Sequence, residues 1–236
     1  MAARKRAGMD SVRFSEHSVA RVSVFDGFED LARQTADLLT SGRVAFSGGQ
    51  TFAKLFPQWV LTRPDVSNAS FFPVDERLVP FNDPASNWGT AYRGFLAPLD
   101  KEHDKEHWPT SRRSFADIVG RTFGDAEPVF DVVFLGVGDD GHTASLFPGG
   151  DYLKDRESIV LETRSPNPPH GRVTLGPRPL VSAARLVTVL AGVEKGAILK
   201  RIAAKDPTLP IVRILSARAE SDLFIEDPLL DAAEES

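Results

Sequence analysis

The sequence predicts an α/β fold in a single domain: a doubly wound, mainly parallel sheet flanked by helices. Three observations carry this expectation. Short apolar runs of strand type alternate along the chain with segments whose apolar residues recur at helical spacing. Two of the runs, residues 43–46 and 132–135, pass straight into glycine-rich turns, as buried parallel strands do at their C-terminal ends. The 236 residues are 42% hydrophobic, enough for one large core.

In order, residues 1–17 are polar and are expected to form a flexible tail, with Arg4, Lys5 and Arg6 a short basic cluster within it. The domain is expected over 18–227. Residues 19–25 alternate as a strand does. Phe28, Leu31, Ala32, Thr35, Leu38 and Leu39 then keep helical spacing, and Ser41-Gly42 should close that helix. A strand over 43–46 leads into Ser47-Gly48-Gly49-Gln50-Thr51, followed by a helical pattern over 52–61. Strand, glycine-rich turn and helix can present free N–H groups to an anion, with hydroxyls of Ser47 and Thr51 as added donors. The same glycines would also serve a tight turn that needs only positive φ. Residues 69–74 read as an irregular or edge strand because Pro73 lies within it. Asp75-Glu76-Arg77 follows at once, as a solvated tip or as a site acid with an anion-facing arginine. A helix is expected from Asn87 towards Leu96. The charged run 100–107 (DKEHDKEH) reads as a solvated, mobile surface. Its two histidines at i, i+4 lack the glutamate directly after the first that a zinc helix of this spacing carries. Residues 115–123 suggest a short helix, 158–162 a strand, 165–171 a stiff proline-rich rim containing His170, and 172–175 an extended exit from it. Residues 186–190 form a buried-type strand broken by Gly192. Lys195 opens a helix over 196–204, Phe224-Ile225 marks a last strand, and 228–236 form an acidic tail.

The chemistry concentrates in residues 131–149, DVVFLGVGDDGHTASLFPG. A buried strand ends in Gly136, Gly138 and Gly141, with Asp139, Asp140 and His142 on the turn; a short helix-compatible segment is expected to follow, stopping at Pro148-Gly149. Asp140-x-His142 places a carboxylate where it can orient an imidazole, the usual general base near neutral pH. Gly136 to Gly141 also matches GxGxxG, but two carboxylates inside the loop would repel a pyrophosphate, which argues against a dinucleotide. A plain strand-to-turn connection with solvated acids is the remaining reading.

Composition narrows the class. The net charge of −5, with 26% charged residues, gives no basic excess suited to nucleic acid. With no cysteine, disulfides, thiolate metal sites and a cysteine nucleophile are excluded. No run reaches the roughly 18 apolar residues of a membrane span, and no signal-peptide core stands out. The expected location is the cytoplasm, without a membrane or nucleic-acid partner, as a monomer or weak homodimer.

Five marks together resemble the 6-phosphogluconolactonases of the sugar-phosphate isomerase/deaminase superfamily. They are Ser47-Gly48-Gly49; Asp75 to Pro80 (DERLVP) with Ser86-Asn87; GHTASLFPG from Gly141; Arg172 to Leu175 (RVTL); and Gly192 to Lys195 (GVEK). The resemblance spans nearly the whole chain, and GHTASLFPG is its most specific part. It implies a Rossmann-like fold and hydrolysis of 6-phospho-D-glucono-1,5-lactone to 6-phosphogluconate, the second step of the oxidative pentose phosphate pathway. His142 would then activate water and Asp140 would orient it. Arg77 would face the phosphate or the developing oxyanion, and Asp75 would line the sugar. Ser47, Gly48, Gly49, Gln50 and Thr51, with Arg172 and Lys195, would hold the phosphate. No metal or organic cofactor is implied, since a lactone carbonyl is already electrophilic. The family's loop usually continues Ser-Thr-Pro, whereas Gln50 and Phe52 stand in the first and last of those places here, and Gln50 can donate only through its amide.

Two related functions fit less well. Deaminases of amino-sugar phosphates resemble this chain around the Gly-His turn but carry a glutamate where Phe147 stands, and phenylalanine cannot move a proton. Non-catalytic sugar-phosphate sensors of this fold usually add a DNA-binding helix pair, for which residues 1–17 are too short. A serine hydrolase would need a G-x-S-x-G elbow, which the sequence lacks.

Overall fold

The structure is a computed structural model that describes residues 20–155, 157–229 and 233. Its strands are β1 (Arg21–Phe25), β2 (Ser41–Phe46), β3 (Asn68–Pro73), β4 (Asp75–Arg77), β5 (Val132–Gly136), β6 (Val160–Arg164), β7 (Gly171–Leu175), β8 (Arg185–Leu190) and β9 (Asp222–Glu226). Its α-helices are α1 (Phe28–Thr35), α2 (Gly49–Thr62), α3 (Asn87–Ala91), α4 (Arg112–Phe123), α5 (Pro177–Ser182), α6 (Gly196–Ala203) and α7 (Pro210–Ser216). Six strands form a parallel sheet in the order β1-β9-β8-β5-β2-β3. The α/β, mainly parallel expectation holds.

Alternation along each strand divides the core. Val44, Phe46, Val132 and Phe134 point to a face covered by α1, α2 and α3, where Phe52, Phe56, Trp59, Trp88 and Phe95 pack together. Ala45, Val133 and Leu135 point to the other face, against Phe115 and Ile118 of α4, Leu199 of α6 and Ile211 of α7. A period of two on strands between layers of helices is what a doubly wound sheet requires. The chain leaves β2 towards β3 on one side and leaves β5 towards β8 on the other. The connections therefore diverge between β2 and β5, and a crevice opens at the C-terminal ends of these two strands.

Several local expectations change. Asp75-Glu76-Arg77 is not a tip: it is β4, in a second, antiparallel sheet ordered β4-β7-β6. Val74 joins the sheets, donating to Phe46 O and accepting from Leu175 N. No helix follows His142 as far as Gly149. Gly141 and Ala144 have positive φ, which no helix tolerates, and Thr143 bridges to Leu146 instead. Ser41 and Gly42 open β2 rather than closing a helix, because residues 36–39 tighten into a 3₁₀ turn before them. The helix from Asn87 changes to a π-turn over Tyr92–Leu96.

The charged run 100–107 is the largest correction. It forms a 3₁₀ helix, Glu102–His107, docked on β3, the edge strand. Asp104, only 6% exposed, accepts from Phe71 N at 3.2 Å, and His107 Nδ1 lies 2.6 Å from Phe71 O. Since a carbonyl only accepts, Nδ1 carries the proton here. The His107 ring stacks on Phe72, and Trp88 Nε1 donates to Asp104 O. A short turn with an acid and an imidazole at the right spacing thus satisfies backbone groups that β3 has no strand to pair with.

The proposed tail 1–17 lies outside the described residues, as do most of 228–236. Of the latter, Leu229 and Ala233 are fully buried against the α4–α7 side of the core. Among the described residues no helix is long and apolar enough to cross a membrane.

Candidate active site

Five segments, with Phe28 of α1, line a cleft of about 300 Å³ at the crevice between β2 and β5. Ser47 to Thr51 and Lys54 come from the start of α2, Asp75 and Arg77 from β4, Asn87 from α3, Gly136 to Asp139 and His142 from the end of β5 and the turn after it, and Glu194 and Lys195 from the turn after β8. Nearly every site residue expected from the sequence is therefore brought together. Asp140 does not line the cleft itself but bonds to His142, which does. Arg172 does not line it. It sits opposite Arg77 in the β4–β7 ladder and donates to the carbonyl oxygens of Pro169 and Gly171. Burial, and then the neighbouring Arg77, push its pKa down.

The turn after β5 is shaped around His142. Its ring Nδ1 is 2.6 Å from Asp140 Oδ1, which also accepts from His142 N at 3.0 Å. The hydrogen bond from the imidazole holds the Asp140 carboxyl down at about 2, against the opposing effect of partial burial. Asp140 is therefore an anion at neutral pH and can only accept, so Nδ1 carries a proton, and in the neutral tautomer it is Nε2 that holds the lone pair. The ring lies directly over Gly138, where a Cβ would come within 2.1 Å of it. Only glycine leaves that space, which gives the Gly138 of the motif a physical reason. Phe147 packs against the ring, with centroids 5.0 Å apart. The imidazole remains reachable, with 35% of its side chain exposed.

Opposite stands the start of α2. Its N-cap is Gly48, with no side-chain cap, so the first N–H groups of a 14-residue helix are left without a capping acceptor. Gly49 has φ 84°, settling in part what the glycines do: they make the tight turn. The same turn leaves an electropositive backbone facing the cleft. Ser47 Oγ is buried there with no hydrogen-bond partner among the described residues. Gln50 and Thr51 lie in the first helical turn rather than before the helix. Lys195, only 13% exposed, reaches across to Asp139, which is 82% exposed.

Asp75 and Glu76 point to opposite duties. Asp75 lines the cleft, and its Oδ2 accepts from Ser145 Oγ at 2.6 Å and Asn87 Nδ2 at 3.3 Å. Glu76 is fully buried away from it and accepts from Arg77 N, Asn87 N, Trp88 N and Ser86 Oγ. Burial pushes its pKa up, while these four donors oppose that shift. It thus fixes the start of α3 beneath the site. Arg77 Nη1 is steadied by Ala85 O at 2.8 Å. His170, on the rim, folds back onto Ser165 O at 2.8 Å and so closes the proline-rich loop on itself.

Sequence reasoning did not assign Lys54, Asn87, Glu194 or Ser145. Ser86-Asn87 was marked by the resemblance without a role. Its polarity at a helix start is equally that of a cap, and Ser86 is indeed the cap.

Among the described residues no group of three or more His, Asp or Glu side chains is placed to hold a metal ion. The geometry offers instead an oriented imidazole facing an anion-receptive helix start, with an arginine and a second carboxylate on the wall between them.

Residues 20–224 match the family described as glucosamine-6-phosphate isomerases/6-phosphogluconolactonase. A human (Homo sapiens) 6-phosphogluconolactonase is 40% identical over 208 residues, covering 77% of this chain and 80% of the relative. A rat (Rattus norvegicus) 6-phosphogluconolactonase is 36% identical over 208 residues, with the same coverage of 77% and 80%. Of solved structures, a 6-phosphogluconolactonase from Shewanella baltica OS155 has a TM-score of 0.73 at 25% identity, covering 88% of this chain and 97% of the other. A monomeric glucosamine-6-phosphate deaminase, at 16% identity and TM-score 0.71 over 90% of this chain and 99% of its own, shares the fold. By its sequence and its architecture, this chain belongs to the glucosamine-6-phosphate isomerase/6-phosphogluconolactonase family.

Proposed function

We propose that this protein is a hydrolase that opens 6-phospho-D-glucono-1,5-lactone to 6-phospho-D-gluconate, with His142 as general base. The observation that carries the reading is the Asp140–His142 pair at 2.6 Å, on the wall of a cleft whose other side is the uncapped start of α2. The names of the human and rat relatives point to the same activity.

The chemistry follows from the geometry. The substrate phosphate takes the N–H groups of Gly49, Gln50 and Thr51, with the hydroxyls of Ser47 and Thr51 and the ammonium of Lys195. Arg172, behind Arg77, adds positive field without touching the cleft. This grip supplies orientation and remote binding energy rather than chemistry. Water attacks the lactone carbonyl carbon as His142 Nε2 removes its proton. Asp140 keeps the donor on Nδ1 and stabilises the imidazolium that forms. The carbonyl oxygen becomes an oxyanion, for which Arg77 on the cleft wall is a donor at hand, since the N–H groups of Gly138, Gly141 and His142 are already bonded within the turn. As the C–O bond of the ring breaks, the imidazolium returns its proton to the departing ring oxygen, and the carboxylic acid product ionises. Phe147, at the position where a deaminase needs a proton-carrying side chain, packs on His142 and serves only to seat it.

The test is hydrolysis of the lactone, generated in situ from glucose 6-phosphate and followed against its spontaneous opening, with glucosamine 6-phosphate run in parallel. Acceleration of the first with no ammonia from the second is expected. Ammonia release without lactone opening would overturn the proposal in favour of a deaminase.

A further inference from the structure

Among the described residues, the cleft wall holds one buried polar atom without a hydrogen-bond partner that the scheme above leaves unused. Asn87, 6% exposed, begins α3 with its N–H on Glu76 Oε1 at 2.7 Å. Its side-chain Nδ2 donates to the carbonyl oxygen of Asp75 at 3.1 Å and to Asp75 Oδ2 at 3.3 Å. A backbone carbonyl can only accept, so the orientation of the amide is fixed: nitrogen towards Asp75, oxygen away from it. That oxygen, Oδ1, is buried and has no hydrogen-bond partner among the described residues. The amide lies against Gly48, where a Cβ would come within 2.3 Å of Oδ1, and the residue lines the cleft. Three anchoring hydrogen bonds thus hold an unsatisfied acceptor beside the start of α2.

The kind of acceptor says which part of a ligand it serves. Phosphate oxygens at neutral pH mostly accept, as do a lactone carbonyl and a ring ether oxygen; none of them satisfies Oδ1. A hydroxyl does. Asp75, on the same wall, has its Oδ2 committed to Ser145 and Asn87, which leaves Oδ1 of the carboxylate as a second acceptor. Two adjacent acceptors suit neighbouring hydroxyls of a polyhydroxylated chain or ring. We propose that Asn87 Oδ1 receives a hydrogen bond from a hydroxyl of the bound sugar acid, so that Asn87 selects polyhydroxylated ligands over plain phosphorylated acids. This deepens the sugar-phosphate lactone reading and rests on it. Oδ1 is already without a partner in the described structure, so only a ligand that brings a hydroxyl to it relieves that deficit.

The test compares two ligands in calorimetric titrations: 6-phosphogluconate, and 6-phosphooxyhexanoate, which carries the same phosphate and carboxylate but no hydroxyls. The wild type is expected to bind the first at least tenfold more tightly. Asn87→Ala should reduce that ratio at least fivefold, with affinity for inorganic phosphate unchanged within twofold. Asn87→Ser keeps a donor within the wall but withdraws the oxygen from the cleft. It should act in the same way, and it carries the test if the alanine variant does not fold. In turnover the loss should fall on KM more than on kcat. A wild type that does not discriminate, or a folded variant that still discriminates as the wild type does, overturns the assignment. Lactone hydrolysis reports separately on the functional reading: discrimination lost in the variants supports Asn87 even where hydrolysis is absent.

Discussion

At the scale of single residues, the proposed chemistry rests on groups that lie close in sequence, and these were legible there. Asp140 and His142 are two positions apart on a glycine turn, so their contact needs no tertiary information. Removing the proposed base in His142→Ala is expected to lower kcat by about 10²–10⁴-fold with little change in phosphate affinity; single-turnover and binding measurements check both halves. Asp140→Asn tests the orienting anion. An amide can donate as well as accept, so it no longer holds the donor on Nδ1, and kcat should fall while phosphate affinity stays unchanged. An asparagine variant with the kcat of the wild type would show that the carboxylate does not orient the ring. Stability has its own sign here. The depressed Asp140 carboxyl stabilises the fold fully above about pH 4 and loses that contribution as pH falls towards about 2. Asp139 acts on Lys195. The pair is largely exposed on the acid's side, so its worth is roughly 0.2–1 kcal/mol. Asp139→Asn should free the ammonium and lower KM for the phosphorylated substrate by about 1.4–5-fold, read from steady-state kinetics at low salt. Arg172 and Asn87 were not placeable from sequence: their positions depend on the β4–β7 ladder and on the packing of Gly48, which no local pattern encodes.

At the scale of elements, strands were read well where apolar runs were bounded by glycine, as for β2 and β5, and poorly where three residues made a strand. β4 is too short to show a period, and its acids looked solvated. Helices α5 and α7 were missed because each has proline at its start, Pro177 and Pro210, and proline there pre-sets φ rather than breaking the helix. Glu76 shows what that hidden strand does. One buried carboxylate serves three backbone N–H groups and a hydroxyl, tying β4 to α3 across the loop between them. Glu76→Ala leaves those donors unsatisfied in the interior and should cost roughly 3–5 kcal/mol. For a chain of this size that is a fall in Tm of roughly 6–20 °C, measurable by calorimetry. Asn87 and Arg77 should lose their positions with it, so activity should fall even well below Tm.

At the scale of the whole molecule, the fold class was legible because alternation of strand and helix signals is a property of the entire chain, tolerant of errors at any one boundary. What it could not reveal was which strands end as neighbours. The divergence between β2 and β5, which opens the cleft, follows from strand order, and strand order is set by packing among distant segments. The same order puts β3 on the outside of the sheet, against the charged turn of residues 102–107. An outer strand with unused N–H and C=O groups is a template onto which another polypeptide can add. Asp104 and His107 occupy Phe71 on both its donor and its acceptor, so the turn is placed to block strand addition at that residue. The double variant Asp104→Ala, His107→Ala should therefore scatter light and sediment on storage at high concentration, while fresh dilute enzyme keeps its kcat. Equal colloidal behaviour of variant and wild type would show that the edge is protected by other means. On this expectation, a segment that reads as solvated charge would govern how copies of this molecule behave towards one another in a crowded solution.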